Sequence, residues 1–384
     1  MPLTRISTTD KYSFHCEWFD TKASLLRTFF LFYFPSDGTI ELYDKQRKKK
    51  FLNRIFVEDI SLDDIYVGNT VKVFNRQIKI TGYANEYTKK HMGESMQKTF
   101  VLLKPDGIEN KSRIIRLIIS KGFKISNLRM MRLSTEIIEM IFPEKKGSQE
   151  FLNLLNFLKS GPVIAMELIC ENAVQKFQEL AGPEDPKEAK NSAPESLRSI
   201  YGVDLVYNVF HIAGTTSESE RLNNIFFGPN PPPSSSETST VVLKDSTCCV
   251  IKPHAVRNGH LGEIMCMIED EGYSITALQM FYIDNVNAEE FFEVYRGVLQ
   301  EYPEMVSELI SGACLAMEIT GMGEKTPKYF RNLVGPTDPE MARQLRPNTL
   351  RAVFGENKVK NALHVTDLPE DGVLEVEYFF KILV

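Results

Sequence analysis

The sequence predicts an α+β chain: two ferredoxin-like domains in tandem, each one sheet with helices on one face, preceded by a small β-rich domain. Three observations predict it. A long stretch repeats, each repeat alternates strand-like and helix-like runs, and the residues before the first repeat carry hairpin signals without helical periodicity.

The N-terminal unit comes first, taken as residues 1–93. Phe30-Leu31-Phe32-Tyr33-Phe34 and Thr39-Ile40-Glu41-Leu42-Tyr43 flank Asp37-Gly38, a turn pair between β-rich runs. Val71-Lys72-Val73-Phe74 and Gln77-Ile78-Lys79-Ile80 form a second strand pair. Lys45-Gln46-Arg47-Lys48-Lys49-Lys50 is expected in a loop, where such a run is chiefly a solvated face. Phe14, Trp18 and Phe19 are expected in the core.

The repeat follows. Lys104-Pro105 matches Lys252-Pro253 at an offset of 148, Ser160-Gly161 matches Ser311-Gly312 at 151, and Gly182-Pro183 matches Gly335-Pro336 at 153. Leu197-Arg198 with Asn208 and His211 recurs as Leu350-Arg351 with Asn361 and His364. Colinear blocks with a drifting offset are a duplicated domain. The first copy spans 97–227 and the second 245–384. Between them, 228–244 contain Gly228-Pro229-Asn230-Pro231-Pro232-Pro233-Ser234-Ser235-Ser236, which reads as an extended linker.

Within the first copy, 99–103 is a short apolar strand. Residues 114–120 form a helix closed by Lys121-Gly122. A strand over 123–131, a helix over 151–158, a strand over 163–170 and a helix over 173–180 complete the alternation.

Composition excludes several functions. Lysine and arginine number 45 against 51 acidic residues, so no global field draws the chain to nucleic acid or anionic lipid. No apolar run reaches membrane-spanning length, and the start lacks a secretory apolar core. Cys16, Cys170, Cys248, Cys249, Cys266 and Cys314 show no zinc spacing; free, mostly buried thiols on the cytoplasmic side are expected. No resident metal site is predicted.

A lone histidine is usually a satisfied core or surface residue. His211 and His364 instead keep one place through the duplication, each three residues after an asparagine, which points to function. Neutral imidazole is a nucleophile that can carry a phosphoryl group. Phosphoryl transfer then needs fixed cations, and Lys104/Lys252 and Arg198/Arg351 are the cations that repeat. Neither a phosphate-cradling glycine loop nor a protein-kinase catalytic loop is present.

Lys104-Pro105-Asp106-Gly107, Ser160-Gly161-Pro162, Leu197-Arg198 and Asn208-x-x-His211 resemble the ordered signature of nucleoside diphosphate kinases. The resemblance covers both copies and implies a ping-pong exchange, in which a nucleoside triphosphate such as ATP or GTP phosphorylates the histidine and a nucleoside diphosphate takes the group. Mg2+ would accompany the nucleotide. Carried onto the second copy, it implies Lys252 on the phosphoryl group and ribose, Tyr295 beside that lysine, and Arg331 and Thr337 on the β-phosphate. It further implies Arg351 on the γ-phosphate, Asn361 on the ribose, His364 as the phosphohistidine and Glu375 as its orienter. The first copy keeps Lys104, Arg198, Asn208 and His211. It has Phe142, Gln178, Glu184 and Leu222 where Tyr295, Arg331, Thr337 and Glu375 stand. The second copy is therefore the better match, and the first is expected to be degenerate. The second departs too: Lys-Pro-Asp-Gly has become Lys252-Pro253-His254-Ala255, and Val365-Thr366-Asp367 follow the histidine in place of Gly-Ser-Asp.

Phe34-Pro35-x-Asp37-Gly38-Thr39-Ile40-Glu41 and Val67-Gly68-x-x-Val71-x-Val73-Phe74-x-Arg76 resemble the DM-ten domain of axonemal proteins, which implies a pleckstrin-homology-like fold. The layout is similar to a cilium-associated branch of the kinase family. That implies tubulin, doublet microtubules and other axonemal proteins as partners, and a place in the cytoplasm and the cytoskeleton of the cilium. The implied role is a microtubule inner protein with modest transferase activity. The alternative is a fully active kinase or autokinase at the centrosome and spindle, acting with the γ-tubulin complex on microtubule nucleation.

Overall fold

The computed structural model describes residues 11–20, 23–58, 60–74, 76–93, 96–232, 235 and 237–384. The first ten residues, counted above in the N-terminal unit, and Pro233, Ser234 and Ser236 of the linker lie outside the described residues.

Six antiparallel strands build the N-terminal sheet: β1 (Tyr12–Asp20), β2 (Leu25–Phe34), β3 (Thr39–Asp44), β4 (Lys49–Phe56), β5 (Thr70–Val73) and β6 (Arg76–Tyr83). Their spatial order is β4-β3-β2-β1-β6-β5. Period-two alternation sets the buried face: Val71 and Val73, then Ile78 and Ile80, point into one core with Phe14, Phe29, Leu31 and Ile40. Gly38 turns the β2–β3 hairpin at φ +69°. Phe19 is a correction. It alternates out of that core and is 56% exposed, while Phe14 is buried and Trp18 packs at the edge. The basic run is no free loop either: residues 45–48 are a tight turn, Lys49 and Lys50 begin β4, and Lys50 Nζ meets Glu41 at 2.7 Å. A single turn, α1 (Glu86–Thr88), leads out of this unit.

The first copy runs β7 (Gln97–Leu103), α2 (Lys111–Ser120), β8 (Lys124–Met131), α3 (Thr135–Ile141), α4 (Gln149–Lys159), β9 (Val163–Cys170), α5 (Ala173–Ala181), α6 (Pro186–Ser192), α7 (Leu197–Tyr201), β10 (Phe210–Ile212) and α8 (Thr216–Phe227). The second runs β11 (Thr247–Ile251), α9 (Pro253–Arg257), α10 (Leu261–Asp270), β12 (Ser274–Phe281), α11 (Asn285–Phe291), α12 (Tyr302–Leu309), β13 (Cys314–Thr320), α13 (Thr326–Val334), α14 (Pro339–Leu345), α15 (Leu350–Phe354), β14 (Leu363–Val365) and α16 (Gly372–Glu377).

Helices cover both faces of each sheet, not one. Val101 and Leu103 of β7 face a core with Ile114, Ile115 and Ile118 of α2. Phe100 and Leu102 face the opposite core with Ile138, Phe157, Leu222 and Phe226. β9 is buried at every position, as an unbroken apolar run requires.

The copies join into one eight-stranded sheet, β10-β7-β9-β8-β12-β13-β11-β14, through Gln279 opposite Arg129. Helices α2 and α10 pack across the junction, and one apolar core runs through both copies. The stretch between the copies carries no helix or strand among its described residues, yet it is docked. Arg129 donates to Pro232 O at 2.9 Å, and Val242 and Leu243 N–H each donate to the buried Glu318 carboxylate at 2.7 Å. The N-terminal sheet sits on the second copy, where Gln77 Nε2 donates to Ile283 O at 2.6 Å and Lys72 Nζ reaches Ser307 O at 2.5 Å. All six cysteines are free and buried. Among the described residues, no helix is long and apolar enough to cross a membrane.

Candidate active site

His364 sits in β14, opposite Val250 of β11. Its strand is three residues long, so neighbours must fix the ring. His364 Nε2 lies 3.0 Å from Glu375 Oε2, a carboxylate on α16 that also accepts from Thr366 Oγ1 at 2.9 Å. Phe291 closes one side of the ring edge-on, with centroids 4.8 Å apart. A carboxylate at Nε2 fixes the tautomer: that nitrogen carries the proton, and Nδ1 keeps the lone pair.

Lys252 follows β11 and caps the start of α9. Its Nζ donates to Asn361 Oδ1 at 2.7 Å and to Val359 O at 2.8 Å. Burial, and then the neighbouring Arg351, push its ammonium down to about 7. Arg351, on α15, donates from Nη2 to Leu363 O at 3.1 Å and from Nη1 to Gly335 O at 3.0 Å, with Thr337 Oγ1 at 3.5 Å. Burial lowers its guanidinium to about 10. Asn361 Nδ2 donates to Thr337 O at 3.0 Å. Lys252, Thr337, Arg351 and Asn361 thus form one hydrogen-bonded network that meets the histidine strand at Leu363.

Tyr295 and Arg331 form a second cluster beside it. Tyr295 donates to Asp367 Oδ2 at 2.6 Å; Arg331 Nη1 donates to Asp367 O at 2.7 Å and pairs with the Asp367 carboxylate. Asp367 is therefore a member of the site that the candidate residues omit. Its signal was present in the sequence, three residues after the histidine. His254 and Glu308 were also missed, both buried behind the site.

The first copy keeps the same scaffold. Lys104 Nζ donates to Val206 O at 2.6 Å and to Asn208 Oδ1. Arg198 Nη1 donates to Gly182 O at 2.8 Å, and Asn208 Nδ2 to Glu184 O at 3.0 Å. The histidine differs. His211 Nε2 is buried without a hydrogen-bond partner, because Leu222 occupies the place of Glu375. The Phe142 ring lies tilted against the imidazole with centroids 4.5 Å apart, and burial, then Lys104, pull the His211 pKa down to about 4. Gln178 spends its amide on Gly214 O at 3.1 Å.

The sequence model of the family described as "Nucleoside diphosphate kinase" matches residues 97–231 and 245–383. The chain belongs to the nucleoside diphosphate kinase family. "Nucleoside diphosphate kinase homolog 7" of Rattus norvegicus is 43% identical over 375 residues, covering 98% of this chain and 94% of the relative. The Mus musculus protein of that name matches equally. A single-copy "Nucleoside diphosphate kinase" of Aquifex aeolicus is 38% identical over 137 residues, which are 36% of this chain and 94% of that one. A crystal form of the Aquifex kinase aligns at 29% identity and TM-score 0.34, covering 35% of this chain and 96% of that chain. The two kinase-family copies in this chain differ at the imidazole itself, whose Nε2 is paired in one and without a partner in the other.

Proposed function

We propose that the second copy transfers a γ-phosphoryl group from a nucleoside triphosphate to a nucleoside diphosphate through His364. The observation that carries it is the His364–Glu375 pair beside the Lys252–Asn361–Arg351 network. His364 Nδ1 attacks the γ-phosphorus, a P–N bond forms, and the bond to the β–γ bridging oxygen breaks to release the diphosphate. A second diphosphate then attacks the same phosphorus through its terminal oxygen and the P–N bond breaks. Glu375 holds the ring and accepts from its other N–H through both steps. Lys252, Arg331 and Arg351 neutralise charge on the phosphates, Tyr295 and Thr337 flank them, and Asn361 takes the ribose. Among the described residues no trio of histidine, cysteine or carboxylate side chains could hold a metal ion. In this reading magnesium arrives on the nucleotide, as part of the substrate.

Incubation with γ-labelled ATP tests this. Wild type and His211→Ala are expected to take acid-labile label and pass it to GDP, and His364→Ala to take none. Label lost only in His211→Ala would reverse the ranking of the copies. No label in any form, beside an active control kinase, would end the enzyme reading.

A second role is favoured by the first copy, whose full fold is kept around a histidine with no carboxylate partner. We propose that the chain also serves as a structural component of the ciliary or centrosomal cytoskeleton. Its N-terminal sheet would be a DM-ten module of the pleckstrin-homology-like type, with tubulin or doublet microtubules as partner. Exposed Arg47 and Lys48 of the turn, with Lys49 beside them, offer positive charge to an acidic polymer. Full-length protein should co-sediment with microtubules, and replacing Arg47, Lys48 and Lys49 by glutamine should weaken this. Unchanged sedimentation with stability intact returns the turn to a solvated face.

A further inference from the structure

The residue before the strand of each histidine is strained. Val209 and Ala362 have φ of +71° and +70°, a region that residues with a Cβ occupy only when surroundings hold them there. In the first copy the holder is plain: Val209 N–H donates to Asp106 Oδ2 at 2.9 Å. The second copy has no such carboxylate, since His254 stands in the place of Asp106. Ala362 N–H donates instead to His254 Nε2 at 3.1 Å. His254 Nδ1 lies 2.8 Å from Glu308 Oε1, which also accepts the His254 backbone N–H at 2.9 Å. All of this is buried, with His254 2% and Glu308 5% exposed.

The chemistry fixes the protons. Ala362 N–H is a donor, so Nε2 must accept; the imidazole is neutral and its proton sits on Nδ1, donating to Glu308. The carboxylate that Asp106 supplies directly is thus supplied from one ring further away. Ala362 lies between Asn361 and Leu363, and its carbonyl accepts the Lys252 N–H at 2.9 Å. One residue therefore ties down the lysine, the asparagine and the histidine strand.

We infer that His254, held by Glu308, is a positioning residue for His364 and Asn361, a relay that replaces the aspartate of the first copy. The catalytic half of this rests on the phosphotransferase reading above; the relay itself does not. The substitution is coupled. At the place of Glu308 the first copy has Phe157, so an acid at position 254 alone would face a second buried carboxylate and repel it.

The test uses the full chain in four forms: wild type, His254→Ala, His254→Asp and His254→Asp/Glu308→Phe. Two readouts are taken: the rate at which ATP phosphorylates His364, and hydrogen exchange at the Ala362 amide. Both single variants should lose about ten- to a hundredfold in rate, the scale of a misplaced reacting group, and should exchange Ala362 faster. The double variant, which rebuilds the first copy's arrangement, should recover both. A folded His254→Ala with unchanged Ala362 exchange overturns the inference, as does a folded double variant no better than His254→Asp. Wild type that takes no label at His364 ends the phosphotransferase reading and the catalytic half of this one, and exchange at Ala362 still decides whether the relay exists.

Discussion

At the residue scale the two histidines show how one partner sets what an imidazole can do. His364 has a carboxylate at Nε2. His211 has Leu222 and an orphaned Nε2, and its folded pKa falls to about 4 from an ordinary 6.5. Between those values the unfolded chain binds more protons than the folded one, so stability must fall as pH drops from 6.5 to 4. His211→Leu removes both the orphan nitrogen and the titration. Denaturant melts at pH 7 and pH 4.5 should show the variant within about 1 kcal/mol of wild type at pH 7 and about 2 kcal/mol more resistant to the acid shift. An identical acid loss in both forms would mean that His211 is not held neutral. The places of His211 and His364 were legible in the sequence through the duplication, and that of Glu375 through the family resemblance. His254 and Glu308 were not, because they lie 54 residues apart and only the fold brings them within 2.8 Å.

At the scale of elements, the strands were legible as apolar runs bounded by turn residues, but their faces were not. An unbroken run such as β9 gives no alternation, and it is the sign of a strand covered twice. The linker was the other hidden element. Its composition forbids helix and sheet, which says nothing about docking. The acceptor is Glu318, fully buried in β13, which takes Val242 and Leu243 N–H and the Thr276 hydroxyl at 2.7 Å. In the first copy the matching Glu167 takes Lys98 Nζ at 2.9 Å and Ser126 at 2.6 Å, so the linker amides do for the second copy what a lysine does for the first. Glu318→Ala leaves the Val242 and Leu243 N–H groups without their acceptor. It should cost about 3 kcal/mol or more and speed proteolytic cleavage near residue 242. Cleavage and melting unchanged would show that the linker is held elsewhere.

At the scale of the whole molecule, the duplication gives a chain that pairs with itself. The sequence showed two copies and left their arrangement open, since pairing lies in the β8–β12 edge and the α2–α10 contact, which no periodicity encodes. Gly262 makes that contact possible: a Cβ there would lie 2.4 Å from Arg116 Cα, a backbone atom that cannot step aside. Gly262→Val should force the helices apart and destabilise the chain by about 1–3 kcal/mol. A variant as stable as wild type would mean that the copies do not depend on this junction. The pairing leaves the two histidine strands at opposite edges of one sheet, β10 at one end and β14 at the other, so each site must work or fail alone. The central claim is that only the second one works. Its most direct measurement is single-turnover transfer of labelled phosphate to GDP by His211→Leu protein already phosphorylated with ATP. The account predicts label on His364 and transfer at the wild-type rate, with Glu375→Gln slowing it about ten- to a hundredfold. Loss of label or transfer in folded His211→Leu protein would contradict it.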